Sequence, residues 1–215
     1  MAIIEQVKKL KNSELKKRID LKLEKFKSFS KKNDKQWFSE LCFCLLTANS
    51  KARTALQIQK ELGSEGFSTL SFEELKSAIK RNKHRFHNNK AKFIVNARNY
   101  MNIKKIIGEV ILKKGEISAR DWLVENIKGI GYKEASHFLR NVGYFDFAIL
   151  DRHILRALKK EKIIPEVSKT LTRKRYLEYE SQMRKLAQIL KMSLAELDMY
   201  IFYIYSGSKT NEILK

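Results

Sequence analysis

Apolar residues recur three and four apart along nearly the whole chain, the period of helices with one buried face. Ile3, Ile4, Val7, Leu10, Leu15, Ile19, Leu23 and Phe26 follow this spacing, with a break near Asn12–Ser13. A lysine-rich stretch over 28–35 reads as a loop. Trp37–Leu46 is apolar on most sides and predicts a central, deeply buried helix. Further helices are predicted over 52–62, 72–81, 91–100, 104–112, 118–126, 132–141, 152–160, 174–190 and 194–205. Ser71 with Glu74, Ser118 with Asp121 and Ser193 with Glu196 have the spacing of N-terminal caps. Gly63–Gly66 reads as a turn and His84–Asn89 as a loop. No alternating stretch is long enough for a sheet, so the expected fold class is all-α.

Charge narrows the partner. Lys and Arg number 45 against 24 Asp and Glu, a formal charge of +21 on 215 residues. Such an excess repels itself unless an anionic partner relieves it. Nucleic acid is the first candidate, because phosphate contacts release counterions and give sequence-independent affinity. Ribosome association or general stickiness is the competing explanation. The two cysteines, Cys42 and Cys44, are too few for a disulfide scaffold, a zinc site or an iron–sulfur cluster, and read as buried small hydrophobes. No secretory pattern opens the chain, and the longest apolar run, Leu41–Ala48, is far short of the ~20 residues of a membrane span. These features predict a soluble, intracellular protein with no metal, no cofactor and no membrane partner.

The stretch Ile127-Lys128-Gly129-Ile130-Gly131-Tyr132-Lys133-Glu134-Ala135 lies between two predicted helices. Glycine admits positive φ and close backbone approach. The helix that follows then turns its free N–H groups and positive dipole end outward, where a DNA phosphate fits. An ordinary helix–turn–helix corner also uses glycine. The basic chain around the hairpin favours phosphate binding at Gly129 and Gly131.

This segment resembles the helix-hairpin-helix superfamily of base-excision DNA glycosylases. In that superfamily a lysine at the start of the second hairpin helix marks members that combine glycosylase and lyase chemistry, and a catalytic aspartate follows at a helix start. Lys133 and Asp151, the latter in Ala148-Ile149-Leu150-Asp151-Arg152-His153, match those positions. Lys133–Tyr144 and Leu46-Thr47-Ala48-Asn49 are similar to the archaeal-type (type-2) 8-oxoguanine DNA glycosylases, and the likeness runs from Trp37 to Lys215.

The resemblance implies two helical domains with the active site in the cleft between them. One spans 33–146 and ends in the hairpin; the other joins 1–32 to 147–215. It implies a monomeric, cytoplasmic, nucleoid-associated prokaryotic enzyme acting on double-stranded DNA that contains a damaged base. Lys133 is then the nucleophile and Asp151 its carboxylate partner, with Lys128, Gly129, Gly131, Arg152 and His153 on the phosphates. Asn49 fills the stack vacated by the flipped nucleotide. Phe86 and Phe202 sandwich the base, and the carboxylate of Lys215 accepts its hydrogen bonds. The family pattern Tyr-Ile-Trp-Tyr is Tyr200-Ile201-Phe202-Tyr203 here, a smaller stacking surface without the indole N–H. The tail Ser206–Leu214 is also longer than the family's.

The chemistry asks for these residue types. Breaking a purine glycosidic bond puts positive charge on the sugar, which a fixed carboxylate in a dry pocket stabilises. Asp151 is also placed to cap a helix over 152–160. A lysine attacks the sugar C1′ only as the neutral amine, while free lysine titrates near ~10.4, so the site has to favour deprotonation. The target atom is hidden in a stacked duplex, so the nucleotide must flip out. Three alternatives stay open on sequence alone: a glycosylase for another oxidised base, a non-catalytic helix-hairpin-helix module, and a basic interaction protein.

Overall fold

The helical period is realised as twelve α-helices among the described residues, which in this computed structural model are 2–168 and 170–206. The chain divides into two compact units, one of residues 31–138 and one of 1–30 with 139–215. The division falls eight residues before the sequence-derived boundary at 146, inside a helix rather than in a loop.

In the 31–138 unit, α3 (Asp34–Thr47) is the centre. Asn33 caps it with Gln36 in a reciprocal pair, and every residue from Trp37 to Thr47 is buried. It is helical and apolar all round because neighbours cover it on several sides: α4 (Ala52–Thr69), α6 (His87–Ala97) and α7 (Ile103–Lys114). Phe38, Leu41 and Leu45 are fully enclosed. Each contributes about 1.5–3 kcal/mol of apolar burial. The remaining helices of this unit are α5 (Phe72–Arg81), α8 (Glu116–Asn126) and the first part of α9 (Tyr132–Asn141). Trp37 meets Phe138 edge to face, with centroids 5.9 Å apart.

Sequence expectations fail at three boundaries here. The helix from Ala52 does break at Gly63 (φ 59°, ψ −171°), as the sequence suggests, but the turn does not extend to Gly66: a second helical stretch of α4 resumes after Gly63 and runs to Thr69. α6 begins at His87, four residues earlier than its apolar phase suggests. α8 begins at Glu116 after Gly115 (φ 82°), so Ser118 is not its cap, and the Ser118 hydroxyl donates back to the Lys114 carbonyl. By contrast, Ser71 and Glu74 form the expected capping box.

In the other unit, α1 (Ala2–Lys11) and α2 (Glu14–Phe29) pack with α10 (Arg152–Lys160), α11 (Arg173–Leu190) and α12 (Leu194–Ser206). α12 is the hub and touches all four of the others. Its entry is fixed by the Ala195 N–H donating to the Phe145 carbonyl at 3.0 Å and by Ser193 accepting from Glu196 N–H at 3.1 Å. No described helix is long and apolar enough to cross a membrane.

Candidate active site

The hairpin joins α8 to α9 through Ile127–Gly131. Ile127 and Ile130 are buried and pin the turn from below, while Lys128 is exposed. Gly129 has φ +93°, and a Cβ there would fall within 2.8 Å of Cε2 and Cγ of Phe93 on α6. Any other residue is excluded twice, by the backbone and by the ring. Gly131 is not among the glycines with positive φ, and a Cβ would meet the Glu134 Oε2 at 3.2 Å. Buried Arg120 of α8 donates to the Ser136 hydroxyl of α9 and lies over the Tyr132 ring, whose hydroxyl donates to Asp121 of α8 at 2.9 Å. These contacts lock the two hairpin helices together.

Lys133 is the second residue of α9 and is half-buried. Its Nζ lies 3.4 Å from Glu134 Oε1, and the other oxygen of that carboxylate accepts the Gly131 N–H at 3.3 Å. Glu134 thus stands three residues past the hairpin glycine, where a carboxylate satisfies a free helix donor and complements the dipole. Lys90 lies on the buried face of α6 with Ala91 and Ile94. Only 5 % of it is exposed, and its Nζ donates to the Leu45 carbonyl at 2.6 Å. Burial, foremost, and then Lys133 push Lys90 down to about 8, against the pull of Glu134. His84 bonds the next carbonyl, Leu46, through Nε2 at 2.9 Å, while its Nδ1 accepts the Phe86 N–H at 3.2 Å. The pair of bonds fixes His84 as the neutral Nε2–H tautomer, and burial lowers its proton affinity.

Lys90 and His84 therefore close the carboxyl end of α3, and the chain beyond emerges at Asn49, exposed and left-handed at φ 58°. Phe86 is half-buried just before α6, with the Arg85 guanidinium 4.5 Å from its ring centroid.

In the other unit Asp151 is the N-cap of α10. One carboxylate oxygen accepts the N–H groups of both His153 and Ile154 at 2.8 Å, which fixes the group and leaves the second oxygen outside those bonds. The extended segment before it is held by α11: Tyr176 hydroxyl donates to the Ala148 carbonyl at 2.6 Å and accepts the Leu150 N–H, and Glu180 accepts the Ala148 N–H. Arg152 is exposed; His153 turns inward and meets Phe202 of α12, with ring centroids 5.8 Å apart and planes at 68°. Lys215 lies outside the described residues. Among the described residues no cluster of three or more His, Cys, Asp or Glu is placed to hold a metal ion.

Within each unit, then, Lys133 is grouped with Gly129 and Gly131, and Asp151 with His153 and Phe202. Sequence reasoning missed Glu134, Lys90, His84 and Phe93. Glu134 was findable from its capping spacing after Gly131, and Lys90 from its place in the apolar phase of α6.

Residues 19–192 match the family model described as 8-oxoguanine DNA glycosylase. The 8-oxoguanine DNA glycosylase/AP lyase of Methanocaldococcus jannaschii is 51% identical over 207 residues, 96% of this chain and 98% of that protein. A crystal structure of the M. jannaschii 8-oxoguanine glycosylase/lyase, in complex with a 15mer DNA containing 8-oxoguanine, superposes with a TM-score of 0.93 at 50% identity, covering 97% of this chain and 99% of that one. The 8-oxoguanine DNA glycosylase of Thermotoga maritima superposes with a TM-score of 0.89 at 37% identity, covering 96% and 97%. With its locked glycine hairpin, the lysine that follows and a match along nearly its full length, this chain belongs to the helix-hairpin-helix 8-oxoguanine DNA glycosylase family.

Proposed function

We propose that this chain excises 8-oxoguanine from duplex DNA and then cuts the strand at the abasic site, with Lys133 as nucleophile and Asp151 as the stabilising carboxylate. The observation that carries the assignment is the hairpin: Arg120, Tyr132 and the Phe93–Gly129 contact hold the start of α9 rigid, and Lys133 stands at its second position.

The neutral Lys133 amine adds to C1′ as the glycosidic bond breaks, and the base departs with the bonding pair. Negative charge held by Asp151 offsets the positive charge that develops on the sugar. Loss of the amine proton and opening of the sugar ring leave an iminium linking Nζ to C1′. That cation acidifies the C2′ proton; its removal expels the 3′ phosphate and cleaves the strand. Lys128, Arg152 and His153 hold phosphates, with Gly129 shaping the turn that approaches them; the Gly131 N–H is taken by Glu134 instead. Asn49 enters the duplex, and Phe86 and Phe202 stack on the everted base.

Borohydride trapping tests this on duplexes carrying 8-oxoguanine opposite each normal base and on duplexes carrying oxidised pyrimidines. The expected result is a covalent adduct with 8-oxoguanine DNA that disappears in Lys133→Gln. An adduct that survives Lys133→Gln overturns the nucleophile, and preferential trapping on a pyrimidine lesion overturns the substrate.

A further inference from the structure

α5 closes on a residue that the local backbone does not favour. Asn82 is its C-cap, and the next two N–H groups turn back into the helix: Lys83 donates to the Lys80 carbonyl at 2.8 Å and His84 to the Ile79 carbonyl at 3.2 Å. This closure needs a left-handed residue after the cap, and Lys83 stands there at φ 59°. Glycine is the usual occupant, because a side chain at that φ is strained. The residues on either side are tied down. Asn82 Nδ2 donates to Glu61 Oε2 of α4 at 2.6 Å and to the Ala78 carbonyl at 2.9 Å, and the His84 ring bonds the Leu46 carbonyl at the end of α3 at 2.9 Å. Lys83 between them is exposed, and its amine has no hydrogen bond or ion pair among the described residues. The carboxylate that reaches this turn, Glu61, is already taken by Arg81 and Asn82.

Lys83 is thus a charge held out to solvent from a rigid turn. His84 ties that turn to the corner from which Asn49 emerges, three residues past Leu46. Resting on the reading of Asn49 as the residue that enters the duplex, we propose that Lys83 is a DNA-backbone contact: its ammonium binds a phosphate beside the point of entry and seats the duplex on the 31–138 unit. An ammonium is a compact, strongly hydrated point charge, which matches a phosphate oxygen and carries no sequence preference there. The contact therefore positions damaged and undamaged duplex alike. The dipole of α5 also favours a cation at this end. It does so equally at the end of α11, where exposed Lys191 stands at φ 51°. The two explanations part in what each lysine does to DNA binding.

The test is equilibrium binding of the full chain, read by fluorescence anisotropy over a range of salt concentrations. The probes are an undamaged duplex and one carrying a tetrahydrofuran abasic analogue, which cannot form a Schiff base. Lys83→Gly removes the charge and suits the positive φ, so a loss of binding does not come from misfolding. Its affinity is expected to fall about 5–10-fold near 0.1 M salt on both duplexes, and the slope of log K against log salt to drop by about 0.9, the share of one phosphate contact. Lys83→Arg is expected to keep the wild-type slope, and so is Lys191→Gly. An unchanged slope in Lys83→Gly overturns the proposal. An equal drop in Lys191→Gly also overturns it, since any lost cation would then do the same. Asn49→Ala tests the underlying reading separately: it is expected to lose affinity for the abasic analogue alone, with its slope unchanged. Wild-type affinity there strikes the reading of Asn49 and not the Lys83 contact, so the two failures are distinguishable.

Discussion

The ring of Phe93 lies so close to the Cα of Gly129 that a methyl group there would come within 2.8 Å of three ring carbons. Gly131, two residues on, faces only the flexible end of Glu134. The two hairpin glycines therefore have different reasons to be glycine. Gly129→Ala is expected to destabilise the 31–138 unit by about 1–3 kcal/mol through overpacking, with added strain from its positive φ. Gly131→Ala is expected to cost well under half of that. Denaturant midpoints of the two variants check the contrast, and equal losses would contradict it.

The proposed function gives Asp151 a second duty beside the cap it forms. Its carboxylate caps α10 through His153 and Ile154, a task asparagine performs nearly as well. Asp151→Asn is expected to keep the thermal midpoint yet lose most excision activity, because the negative charge is gone. Asp151→Ala is expected to lose activity and also about 1 kcal/mol of stability. Melting curves and single-turnover excision rates, read together, separate the roles.

His84 makes stability fall on acidification. Burial, the largest cause, lowers its proton affinity in the fold, and protonating Nδ1 would break the bond from the Phe86 N–H. The unfolded chain then takes up the proton first, so stability is full above an unfolded value of about 6.5 and declines as pH falls through the lower folded value. His84→Gln, whose amide nitrogen can still donate to Leu46, is expected to flatten this slope. Thermal midpoints between about pH 7.5 and 5.5 measure it; parallel slopes in the two proteins would contradict the assignment.

Phe202 packs against His153, two residues past Asp151. Phe202→Ala and Phe86→Ala are expected to depress excision of 8-oxoguanine, roughly 10-fold or more given the ~1–3 kcal/mol worth of a base stacked on an aromatic. Cleavage of a preformed abasic site, which offers no base to stack, is expected to change little. Equal effects on both substrates would assign the rings to the core.

Much of this architecture is legible in the residues themselves. The apolar run from Trp37 had to be a buried helix, and Lys133 and Asp151 stand out against a glycine hairpin and a helix start. What escapes is the set of partners that come from distant sequence. Lys90 reads as one lysine among many until α6 turns it toward α3, 45 residues away. Phe93 reads as core until the hairpin folds against it. Element ends differ from the sequence pattern where the helix resumes directly after the Gly63 break instead of after Gly66, and where Gly115 rather than Ser118 opens a helix.

The end of the central helix has a consequence for how the protein can vary. Leu45 and Leu46 are served by side chains from a remote segment, so the residues that immediately follow are relieved of closing those carbonyls. Asn49 sits on a stub whose foundations are laid elsewhere. Its side chain can be exchanged while the scaffold beneath keeps its shape, which makes this short stretch a place where the sequence can drift at little structural expense.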